Sequence, residues 1–145
     1  MERGRALDYL LVFLLAVFVI GTAYYWLSYF IIGGVQVLDA DYYVKFENAF
    51  PVADAWASLA SLVALYYLLR KNTLKTPFFL AASGASILYL GLMDITFDVQ
   101  NGLYSLVASN SAMQTELVIN IFCVITSVLA LFSGFYTLGR QKTSG

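Results

Sequence analysis

The residues of this sequence that could do chemistry are carboxylates standing on apolar segments. Asp54 follows Pro51 at the head of one apolar run, Asp94 lies in Gly91-Leu92-Met93-Asp94-Ile95, and Glu116 opens another run. An ionisable group inside a membrane-spanning helix is costly and is a functional candidate by default. Asp54 and Glu116 fall in first helical turns, where the helix dipole favours an anion by about 0.3–1 kcal/mol. Asp94 falls in the last two turns of its predicted helix, where the dipole opposes it. Something else must stabilise it there.

Spacing extends the set. Asp94, Asp98 and Asn101 follow at i, i+4 and i+7 and share one helix face, and Glu116 and Asn120 are again i and i+4. Counted inward from the helix ends, Ser28, Asp54, Asp94 and Asn120 come out at similar depth. Each of four helices then offers one polar group to a common layer, with Asp98, Asn101 and Glu116 at its mouth. Such a layer is either a pocket open to the outside or a hydrogen-bonded plug. Serine and asparagine are ordinary interhelical glue, whereas carboxylates are not. No lysine or arginine lies within a span. The partners left are a proton, a bound cation, tyrosine hydroxyls, or Lys45 folding back from a loop. An organic cation would also meet the rings of Tyr24, Tyr25, Trp26 and Trp56. Calcium wants six to eight oxygens, and the loops carry no ligand repeat, so no metal and no cofactor is expected.

Composition removes the competing chemistries. There is no histidine, which excludes imidazole catalysis and most zinc or haem sites. The lone Cys123, flanked by Phe122 and Val124, reads as an inert buried thiol. A net charge of -1 without a basic block excludes nucleic acid as a partner. Gly91-Leu92-Met93-Asp94 is not the Gly-x-Gly-Asp of intramembrane aspartyl proteases, and no catalytic residue is assigned.

The elements that must hold these groups follow from the hydropathy. With 61% hydrophobic and 12% charged residues, the chain is too apolar to cover a small water-soluble fold. Four runs exceed the roughly 20 residues that a bilayer crossing needs: about 7–32, 51–69, 77–100 and 116–138. Loops occupy 33–50 and 101–115. Pro51 and Pro77 suit first helical turns, Thr76 and Thr115 suit caps, and Gly33-Gly34, Gly102 and Gly139 suit helix ends. The first run is about twice the 7–15 residues of a signal-peptide core and reads as an uncleaved span. The small residues Ala81 to Ser86 permit close helix approach within the chain. The segments Asp41-Tyr42-Tyr43 and Leu103 to Met113 are candidates for short interfacial helices over the pocket.

The expectation is an all-α integral membrane protein, a single four-transmembrane-helix up-down bundle with both termini cytoplasmic. Seven of the eight Lys and Arg fall on one side of it, Lys45 alone on the other. Its expected role is to bind a cationic or amphipathic small molecule in an outward-facing pocket lined by Ser28, Asp54, Trp56, Asp94, Asp98, Asn101, Glu116 and Asn120. A proton- or cation-coupled transporter acting as a dimer, and an accessory subunit of a membrane complex, are the alternatives. Cysteines introduced near positions 73 and 143 should react with thiol reagents from the cytoplasmic side, and those near 40 and 108 from the other. A mixed pattern on intact and opened cells would reject this topology.

Overall fold

The computed structural model describes residues 3–32 and 36–143, so the expected stop at Gly33-Gly34 lies outside the described residues. The helices are α1 (Arg3–Ile32), α2 (Asp41–Glu47), α3 (Pro51–Leu69), α4 (Thr76–Gln100) and α5 (Ser111–Thr143), with a 3-10 turn at Leu103–Leu106. The described residues contain no strand. Four stretches are long and apolar enough to cross a membrane: Ala6–Ile32, Asp41–Leu69, Thr76–Gln100 and Ser111–Leu138. By length and composition, the chain is a multi-pass membrane protein.

Local chemistry sets the boundaries. Pro51 has no N–H to continue the α2 ladder and is tolerated in a first turn, so α2 ends and α3 begins there. Gly102 takes φ +66, the left-handed conformation that turns the chain out of α4. Helix α5 starts at Ser111, five residues before the expected start, because Asn110 caps it. The Asn110 Oδ1 accepts the N–H groups of Ala112 (2.9 Å) and Met113 (3.1 Å). Thr115 instead bonds back to the Ser111 carbonyl, and Thr76 lies within α4 with its buried hydroxyl unpartnered. Neither threonine caps a helix. Gly139 does not stop α5, which runs on to Thr143.

Consecutive long helices pack antiparallel, α4 on α5 most extensively, and α1 closes the ring against α5 through the sparsest of these seams. Missing side chains bring α4 and α5 together. A Cβ on Gly84 would lie 2.9 Å from the Leu131 side chain, and one on Gly134 only 2.8 Å from the Pro77 carbonyl and 3.2 Å from the Ala81 nitrogen. The small-residue run of α4 thus packs within the chain. Helix α3 is tied to α4 through buried Ser61 and Ser83, whose hydroxyls lie 2.7 Å apart. Leu11, Leu15 and Phe18 of α1 complete the core with Ala57, Ala64, Leu80, Ile87 and Ala130.

At one end a cap covers the bundle. Val37, Tyr43, Leu103 and Met113 form a second buried cluster there. Phe46 of α2 stacks on Phe97 of α4 at 3.7 Å between ring centroids, and Asn110 donates to the Val37 carbonyl at 3.1 Å. The other end carries the α3–α4 turn with Arg70, Lys71 and Lys75.

Substituting Gly134→Val should lower the thermal stability of the purified protein in detergent by about 1–3 kcal/mol, because the obstructing atoms are backbone. Gly21→Ala, at a helical glycine where a Cβ meets nothing within 4 Å, should leave stability unchanged or raise it. Equal losses in the two variants would show that close approach does not hold α4 to α5.

Candidate functional site

Under the cap, four helices bring carboxylates together. Glu47 ends α2, Asp94 stands near the cap end of α4, and Glu116 lies in the second turn of α5. Each turns one oxygen to within 4.8 Å of the others. Tyr25 donates its hydroxyl to Glu47 at 2.7 Å, and Tyr43 donates to Glu116 at 3.1 Å. Asp54, in the first turn of α3, accepts the indole N–H of Trp26 at 2.8 Å.

Behind Glu116 lies a second polar group. Asp98 is fully buried, and its Oδ2 accepts the Asn120 amide at 3.0 Å. Among the described residues its Oδ1 has no hydrogen-bond partner, and the Glu116 carboxyl lies beside the Asp98 carboxyl. The Tyr104 hydroxyl takes the same Asn120 amide at 3.3 Å. Burial pushes the Tyr104 phenol above its ordinary value. The Asn120 bond opposes that shift, and the Asp98 charge adds to it.

A cavity of about 390 Å³ runs from this cluster down between α1 and α5, within the roughly 300–1,000 Å³ usual for small-molecule sites. Glu47, Asp54, Asp94 and Glu116 mark its polar part. Phe18, Tyr25, Trp26, Phe50, Leu90, Ile119 and Phe122 supply much of the rest, with Cys123 in the wall. The arrangement suits a positive charge held by several carboxylate oxygens and a hydrocarbon body below it. By oxygen spacing alone, a metal ion would also fit among Glu47, Asp94 and Glu116.

The sequence-predicted residues divide. Asp54, Asp94 and Glu116 line the cavity, and Asp98 and Asn120 lie directly behind Glu116. Asp98 and Glu116, expected at an open mouth, are buried. Ser28 is buried on α1 but does not line the cavity. Asn101 is exposed and donates to the Phe97 carbonyl at 2.8 Å, because α4 ends at Gln100 and Gly102 turns the chain away. Trp56 is 62% exposed and lines a separate hollow with Ala85 and Tyr89. Two residues along a helix is about 200°, so Trp56 and Asp54 cannot share a face. Lys45 does not fold back; it pairs with Asp41 at 2.6 Å on the surface.

Glu47 was missed, along with the donor roles of Tyr25 and Tyr43. The signal available was the i, i+4 spacing of Tyr43 and Glu47, which puts both on one face once 41–47 is helical.

The chain matches no family model, no curated protein and no solved structure. The site therefore stands on its own geometry.

Replacing Trp26 by Phe removes the one side-chain donor to Asp54 among the described residues and should destabilise the fold by about 1–3 kcal/mol. Adding Asp54→Leu to that variant should recover part of the loss, since no buried acceptor is then left unsatisfied. Chemical denaturation of the single and double variants in detergent is the measurement. A double variant no more stable than Trp26→Phe would mean that the bond is incidental.

Proposed function

We propose that this membrane protein binds an organic cation with an apolar body, the charge held by Glu47, Asp94 and Glu116 and the body lying in the cavity below. One observation carries the reading. Four carboxylates line one part of a cavity that is otherwise mainly apolar and aromatic, and the only salt bridge among the described residues is the surface pair Lys45–Asp41. Carboxylates taken out of water need either a proton or a partner of opposite sign. Tyr25, Tyr43 and Trp26 donate hydrogen bonds but carry no positive charge. An ammonium group supplies both donors and charge, and the rings of Tyr25 and Trp26 line the cavity around it.

The apolar walls favour an organic cation over a bare ion. A hard metal takes oxygen ligands or water all round and makes no use of Phe18, Leu90 and Phe122. In this reading the bundle crosses a bilayer with Arg70, Lys71 and Lys75 on the cytoplasmic side, and the cap end faces outward.

The test is thermal unfolding in a neutral detergent with decylammonium, decanol or calcium chloride added. Decylammonium should stabilise, by about 2.7 kcal/mol when present at a hundred times its Kd. Decanol should not, and the Asp94→Asn/Glu116→Gln double variant should lose the response. Equal stabilisation by decanol, or stabilisation by calcium alone, would overturn the proposal.

A further inference from the structure

We infer that the ligand is a single-chain amine dissolved in the bilayer, and that it enters the cavity sideways between α1 and α5 rather than from water at the cap end. This rests on the organic-cation reading above and adds the class of ligand and its route.

The cap end is closed. Tyr43 is fully buried, Glu47 and Glu116 are 5% and 6% exposed, and the cluster of Val37, Leu103 and Met113 lies with Tyr43 over them. The side is open. Gly21 and Tyr24 on α1 and Thr115 and Val118 on α5 line the cavity and are at the same time exposed on the flank of the bundle. A Cβ built on Gly21 would meet no neighbouring atom within 4 Å, and the α1–α5 seam is the most sparsely packed of the four seams between adjacent long helices.

Depth decides what the opening faces. Gly21 lies eleven residues before Ile32, where α1 ends. At 1.5 Å per residue that is about 16 Å below the cap end of the helix, well inside a hydrocarbon core of roughly 30 Å. At Gly21 the opening meets acyl chains and not water, while its upper edge at Thr115 lies only about 6 Å below the start of α5. Whatever passes through it must be apolar along most of its length, and the carboxylates at the inner end select a positive terminus. A volume of about 390 Å³ is near the small end for ligand sites, which suits one chain rather than two.

The experiment uses the full chain in lipid vesicles, with Trp56→Phe so that Trp26, beside Asp54 in the cavity wall, is the only tryptophan. Decylammonium delivered in vesicles should change Trp26 fluorescence, and butane-1,4-diamine delivered in water should not. Gly21→Phe fills the opening from α1 and should slow the decylammonium response at least tenfold, while Gly21→Ala should leave it unchanged. Val118→Trp, read by thermal shift with decylammonium, closes the opening from α5 and serves if Gly21→Phe fails to fold. A response to the diamine, or a wild-type rate in Gly21→Phe, would overturn lateral entry while the cation site stands. No stabilisation of the wild type by decylammonium in detergent would remove the cation site itself, and the route with it. A wild-type dimer that Gly21→Phe converts to monomer in light scattering would assign the opening to a second copy of the chain, and would equally overturn lateral entry.

Discussion

Carboxyl groups held among apolar helices, with no lysine or arginine paired to them among the described residues, are the constraint to which the rest of this structure answers. Glu47, Asp54, Asp94, Asp98 and Glu116 all lie near one end of the bundle, and the one ion pair among the described residues is elsewhere, on the surface. Neutral donors meet part of the demand: Tyr25 for Glu47, Tyr43 for Glu116, Trp26 for Asp54 and Asn120 for Asp98. Hydrogen bonds of this kind satisfy lone pairs but leave the sum of charge untouched. The Asp98 carboxyl resting against that of Glu116 states the problem most plainly, because two carboxylate oxygens do not face each other without something positive between them.

The scaffold answers with unequal packing. Helices α4 and α5 approach so closely that Gly84 and Gly134 leave no room for a Cβ, which fixes Asp94, Asp98, Glu116 and Asn120 relative to one another. Helix α1 is held mainly by α3 and stands off from α5. The cavity is the space this asymmetry leaves. Gly21 and Gly134 are both helical glycines and do opposite things: one is an absence that lets backbones meet, the other an absence that keeps a gap open.

Closure at the polar end depends on a break in the chain. Pro51 ends one helical ladder and starts another, so α2 is a separate short helix, and its Phe46 lies on Phe97 of α4. Tyr43 and Glu47, one helical turn apart on α2, are both buried, and Glu47 brings the third carboxylate to the cluster.

The sequence by itself determined the helices and the candidates they carry. Hydropathy over 20-residue windows, the two prolines and the glycine at 102 are local properties, and α3 runs over Pro51–Leu69 as those signals require. The importance of Asp94 was legible for the same reason, since an anion at the C-terminal end of an apolar helix is anomalous without knowing its neighbours. Which groups meet was decided only by tertiary structure. Equal depth suggested a layer of Ser28, Asp54, Asp94 and Asn120. Depth does not specify rotation about a helix axis, however, and the faces actually turned inward pair Asn120 with Asp98 and set Asp94 beside Glu116. Glu47 joined through a short helix whose stability comes from the Phe46, Tyr43 and Phe97 contacts rather than from its seven residues, too few to hold a helix alone. The side opening and the closed cap are likewise consequences of how far α1 stands from α5, a distance set by packing across the whole bundle and written in no single segment.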